Sequence, residues 1–104
     1  MTEWIYFLHP PRENFVSTIT EDEAALMSGP HSGYITDLLA KGTLVLAGPS
    51  IGSDGGLDDG IAIFEADDEA AARAIMEADP AIASGLMRGE LRPMRVAFLR
   101  GRDG

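Results

Sequence analysis

The chain opens on unbroken apolarity. Trp4 to Leu8 are five large apolar or aromatic residues in a row, which predicts a buried strand. His9-Pro10-Pro11 stops it, since proline cannot donate to a ladder, and residues 12–19 read as a loop or short extended piece. Thr20-Glu21-Asp22-Glu23 is a capping-box pattern, with threonine at the N-cap and glutamate three residues on, so a helix starts there. Gly29-Pro30 predicts that the helix kinks or divides. Its continuation carries Tyr34, Ile35, Leu38 and Leu39 on one face and ends at Lys41-Gly42, glycine being a common helix stop. Thr43 to Ala47 predicts a second buried strand, residues 48–59 a loop rich in glycine, proline and aspartate, and Ile61 to Ala66 a third strand. Asp68 caps a second helix running to about Ala78. Asp79-Pro80 ends it, because the residue before proline avoids the α region. Ala81 to Leu86 reads as a turn or helical piece. Residues 89–99 give a fourth strand, with Pro93 marking an edge or bulge.

The order β-α-β-β-α-β predicts an α+β fold of the ferredoxin-like kind, a four-stranded antiparallel sheet with two helices on one face. Within the strands both faces are apolar. Trp4, Tyr6 and Leu8 oppose Ile5 and Phe7; Leu44 and Leu46 oppose Val45; Met94, Val96 and Phe98 oppose Ala97 and Leu99. Two helices cover one face only, and an uncovered apolar face is an association surface. This predicts a homodimer formed by sheet-to-sheet packing. The alternative is that the 48–59 loop and the C-terminal tail cover the second face.

Composition narrows the function classes. The 104 residues make one domain, 1–104, with a core at about 4–99 and a flexible tail at 100–104. Seventeen acidic residues against eight basic ones give a formal net charge of -9. That argues against nucleic acid, which needs a cationic surface, and against an anionic membrane surface. The positive charges Arg88, Arg92, Arg95, Arg100 and Arg102 gather near the C-terminus. The absence of cysteine removes disulfides, a thiol nucleophile and cysteine zinc sites, and fits a cytoplasmic location. Met1-Thr2-Glu3-Trp4 lacks the basic-then-apolar pattern of a signal peptide, and no stretch approaches the roughly 20 apolar residues of a membrane helix.

With no cysteine and two histidines, the choice of catalytic groups is narrow. His31 falls on the helical face of Met27, Tyr34, Ile35 and Leu38, turned toward the sheet. There it is either a hydrogen-bonded core residue or a functional imidazole. Asp79 is either a helix-end carboxylate satisfying a neighbouring N–H or the partner of His31. At a helix C-terminus its charge faces the unfavourable end of the dipole, and a hydrogen-bonding His31 would offset that. An imidazole and a carboxylate that meet make a general acid/base unit, the carboxylate fixing the ring's tautomer. Ala47-Gly48-Pro49-Ser50 follows a strand end, where Gly48 would admit a ligand close to the backbone and Ser50 could bond it. It also reads as an ordinary strand-to-loop turn. Tyr34 lines either the pocket or the core. His9 reads as a surface or loop residue. Asp54, Asp58, Asp59 and Glu65 fail the calcium-loop pattern, because Gly56 and Asp59 stand where a ligand and a glycine are needed. Gly52, Gly55 and Gly56 precede no helix and form no phosphate loop.

Two segments carry a resemblance. In the first, His31, Tyr34, Leu38 and Leu39 lead through Gly42 to Leu46, Ala47, Gly48 and Pro49; in the second, Ala72 and Arg73 lead through Asp79-Pro80 to Gly85 and Leu86. Together they resemble the YCII-related family over roughly residues 4–98. Gly29-Pro30 departs from it, since many relatives keep plain helix formers there. The resemblance implies a dimeric α+β barrel, no cofactor, and a His31–Asp79 dyad in a cleft between helix and sheet. It implies lyase or isomerase chemistry on a small organic substrate, in which an aromatic ring is one option. The competing expectation is a non-enzymatic ligand-binding or interaction module in which the pair is structural.

Overall fold

The computed structural model describes residues 2–52 and 55–101. Strand β1 (Thr2–His9) is followed by a 3-10 turn at Val16–Thr18, then helix α1 (Glu21–Leu26), a π turn (Met27–His31) and helix α2 (Ser32–Ala40) in one continuous run. Strands β2 (Leu44–Ile51) and β3 (Leu57–Ala66) form a hairpin; helices α3 (Glu69–Ala78) and α4 (Pro80–Ala83) and strand β4 (Arg88–Met94) complete the chain. The sheet runs β2-β3-β1-β4 with all neighbours antiparallel, the ferredoxin-like order that the element sequence predicts. No helix among the described residues is long and apolar enough to cross a membrane.

β1 sits inside the sheet, and its burial alternates. Trp4, Tyr6 and Leu8 are buried with Leu38 of α2, Ala72 and Met76 of α3 and Ala81 of α4. Ile5, Phe7 and His9 are half-buried on the other face. Phe64 of β3 meets Tyr6 edge to face at 5.6 Å. Gly89 lets α3 and α4 close onto β4, since a Cβ there would lie 2.9 Å from Ile82 Cδ1 and 3.0 Å from Met76 Sδ.

The capping box at Thr20 is complete: the Glu23 N–H donates to the Thr20 hydroxyl, and the Thr20 N–H donates to the Glu23 carboxylate. Arg12 anchors the preceding loop to this box through two bonds to Glu23. The guanidinium holds the Glu23 carboxyl well below the usual carboxylate range, at about 2. At Gly29-Pro30 the helix neither breaks nor divides. Proline supplies no N–H for the i−4 carbonyl, and the chain takes a π register instead, with Ser32 N–H reaching Met27 O five residues back. Gly42, at φ 79°, closes α2 in the left-handed conformation.

Three strand ends differ most from expectation. Gly48 to Ile51 and Leu57 to Gly60 extend the strands into what reads as loop, with Gly48 paired to Ile61 and Pro49 to Gly60. β2 is an edge strand, so Pro49 breaks no ladder on its outer side, and register shifts at Leu44/Leu46 and Pro49/Ile51 absorb the irregularity. β4 ends at Met94, short of residue 99. Met94 pairs with Glu3, one residue from the end of β1 at Thr2, and beyond it the Val96 N–H donates to the Glu3 carboxylate. Phe98 is 97% exposed. Of the tail expected at 100–104, residues 102–104, Arg102 among them, lie outside the described residues, as does Asp54.

Candidate functional site

The π turn delivers His31 to the start of α2 at the wall of a cavity of about 460 Å³. The cavity lies between this helix and the ends of β1, β2 and β3. His31, Ser32, Ile35 and Thr36 present one helical side to it. Opposite them lie Leu8, Ala47, Gly48, Pro49 and Ile61.

Asp79 arrives from behind. Ala72 and Met76 are buried along α3, and Asp79 continues their stripe three residues later, so its carboxylate points into the core with 0% exposure. Three donors hold it. His31 Nδ1 lies 2.7 Å from Oδ1, the Ala81 N–H donates to Oδ1 at 2.9 Å, and the Tyr6 hydroxyl donates to Oδ2 at 2.8 Å. No buried side-chain nitrogen or oxygen among the described residues lacks a partner. The bond from Ala81 makes Asp79 the N-cap of α4. The carboxylate therefore ends one helix and opens the next, and the N-terminus of α4 adds to His31 in offsetting its charge.

This constellation favours one tautomer. A carboxylate with three donors is satisfied as an acceptor, so Nδ1 carries the proton that faces it. In the neutral ring Nε2 then holds a lone pair. Among the described residues Nε2 has no partner, and the ring, 17% exposed at its side chain, stands on the cavity wall. Such an arrangement can take a proton from a ligand at Nε2 while Asp79 stabilises the imidazolium.

Tyr6 is the member that sequence reasoning missed. A phenol at a buried strand position needs a partner for its hydroxyl, and that signal was present at the centre of β1. Burial, and then the neighbouring Asp79 charge, push its pKa far above the ordinary tyrosine value. The hydroxyl therefore stays protonated and donating. The unfolded phenol ionises near pH 10 while the folded one does not. This contribution is complete below that pH and is lost as pH rises beyond it. Tyr6→Phe is expected to lose about 1–3 kcal/mol near neutrality and to flatten the fall in Tm between pH 9 and pH 11, read by melting curves across that range.

The remaining sequence candidates separate into two groups. Gly48 and Pro49 line the cavity with His31. Tyr34 and Ser50 do not: the Tyr34 hydroxyl donates to Ile75 O at 2.7 Å, and Ser50 Oγ donates across the hairpin to Asp59 O at 3.2 Å. Tyr34 is also raised in pKa, by burial first and then by Asp79. His9 is bound at both ring nitrogens, to Asp59 at 3.0 Å and Glu90 at 2.8 Å, tying β1, β3 and β4 together on the face away from the helices. The Glu90 bond chiefly raises the His9 pKa. The described residues contain no group of three histidine, cysteine or acidic side chains arranged to hold a metal ion.

A family model described as the YCII-related domain matches residues 4–95. No curated protein matches the chain in sequence. Among solved structures, the chain is similar to the 5-chloro-2-hydroxyhydroquinone dehydrochlorinase of Burkholderia phenoliruptrix, in complex with 2,5-dihydroxybenzoquinone. The two are 19% identical, with a TM-score of 0.61 over 88% of this chain and 93% of that one. At this identity the likeness is one of fold.

Proposed function

The chain belongs to the YCII-related domain family, and on that premise we propose that it is a small-molecule enzyme working by cofactor-independent acid–base chemistry. His31 Nε2 takes a proton from an acidic O–H or C–H of a small ring compound held in the cavity. Asp79 orients the imidazole and stabilises its charged form. In an elimination the carbon–leaving-group bond then breaks, with the electron pair going to the leaving group. In an isomerisation the same proton returns at another carbon. One observation carries this reading: a ring on the wall of a 460 Å³ cavity, bound through Nδ1 to a fully buried carboxylate. Gly48 and Pro49 shape the wall facing it, while Tyr34 and Ser50 serve packing and the hairpin. A similar fold acts on a chlorinated hydroxyhydroquinone, which makes that compound the first to try. Chloride release from 5-chloro-2-hydroxyhydroquinone, followed with a chloride electrode, tests the elimination. Deuterium uptake at ring carbons of hydroxyhydroquinone, a phenol that is uncharged at neutral pH, tests proton abstraction alone. Failure of both would remove the enzymatic reading.

The same proposal includes a homodimer. Ile5 and Phe7 are half-buried on the sheet face that no helix covers, and Leu46 beside them is 47% exposed. A second copy packed face to face would bury them. Light scattering is expected to give twice the 11.1 kDa of the chain, and Phe7→Glu is expected to return the monomer. A monomeric wild type would end this part of the proposal.

A further inference from the structure

We infer that the cavity admits its ligand uncharged: an apolar-bodied weak acid such as a phenol or enol enters, and a carboxylate or phosphate of the same size is rejected. This deepens the acid–base reading and rests on it for the atom that loses the proton. The lining supplies the reason. Leu8, Phe15, Met27, Ile35 and Met87 make it largely apolar, and among the described residues no lysine or arginine contributes to it.

Neither nearby arginine lines the cavity. Arg12 lies over the Phe15 ring at 5.1 Å, but its guanidinium is bonded to both Glu23 oxygens and to Thr18. Arg88, next to Met87, stands across from His9 in the β1–β4 ladder, on the opposite sheet face. Nor can His31 supply the missing charge. In its neutral form it carries none, and when protonated it is balanced by Asp79 at 2.7 Å.

Of the polar side chains that remain, Thr36 brings only an uncharged hydroxyl, and Ser32 and Asp58 do not favour an anion. Ser32 Oγ donates to Met27 O at 2.9 Å. The Asp58 carboxylate lines the cavity at its exposed side with no ion pair among the described residues. An anion entering here gives up its hydration for apolar contact and meets a like charge. A neutral ring gives up little and keeps its acidic proton for Nε2.

The test compares 4-hydroxybenzamide with 4-hydroxybenzoate at pH 7, two probes of one shape that differ in charge. Methyl NMR signals of Met27, Ile35 and Met87 report binding. The amide is expected to shift them saturably, and the carboxylate to bind at least roughly tenfold more weakly. In Asp58→Asn that ratio narrows; a ratio that stays put overturns the share assigned to Asp58. A carboxylate that binds as well as its amide, or no shift with either, overturns the proposal. The readout is binding rather than turnover. Failure of the acid–base reading shows separately, as turnover that survives in His31→Ala.

Discussion

His31→Ala is expected to lower turnover by about 10²–10⁴-fold, the range for a positioned general acid/base, while the protein stays folded. The two halves of this result have different causes. Turnover falls because Nε2 is the imidazole base on the cavity wall, and among the described residues the lining offers no second one; His9 is held at both nitrogens by Asp59 and Glu90. The fold survives because the lost ring leaves Asp79 with its bonds from Tyr6 and Ala81. Water from the adjoining cavity can take the place of Nδ1–H. The stability cost is accordingly expected to stay within about 1 kcal/mol. Steady-state rates on the first substrate found, with a melting curve for each protein, check both halves. Should the alanine variant melt early, His31→Gln keeps a donor toward Asp79 without supplying a base. Full turnover in either variant would falsify the assignment.

The route by which the pair comes together was only partly legible in the sequence. The alternation of Trp4, Tyr6 and Leu8 against Ile5 and Phe7 names the buried face of β1, and the Thr20–Glu23 box names the helix start; both depend on local chemistry and hold in the structure. Gly29-Pro30 signals a disturbance, yet no local rule separates a kink from a π turn. The choice falls to the carbonyls that need donors, and Ser32 supplies one with its N–H and again with its hydroxyl. Strand ends were misplaced for a non-local reason. Whether Gly48 to Ile51 pair depends on β3 lying beside them, and whether residues 95–99 pair depends on β1 continuing past Thr2. Asp79 could be read as a helix end. Its cap on α4 and its bond from Tyr6, 73 residues away, come from packing across the whole domain.

Asp79 carries the largest expected stability effect, and the pair of changes Asp79→Ala and Asp79→Asn separates its two roles. Alanine leaves the Tyr6 hydroxyl and the Ala81 N–H buried without their acceptor, and it removes the cap of α4. Losing one partner of a buried charged network costs about 3–5 kcal/mol, a fall in Tm of more than about 10 °C for a domain of this size. That loss follows whether Asp79 is catalytic or structural, so the alanine variant does not decide between the two. Asparagine does. Its oxygen can accept from Ala81 and His31 as Oδ1 does, and its amide can face Tyr6, whose hydroxyl then turns to accept. The cap and the shape are kept, with an expected cost below about 2 kcal/mol. The charge that stabilises a protonated imidazole is gone. If the pair performs acid–base work, Asp79→Asn is folded and at least about 100-fold slower. If the pair only holds α3 and α4 to the sheet, the same variant is folded and keeps whatever activity or ligand binding the wild type has.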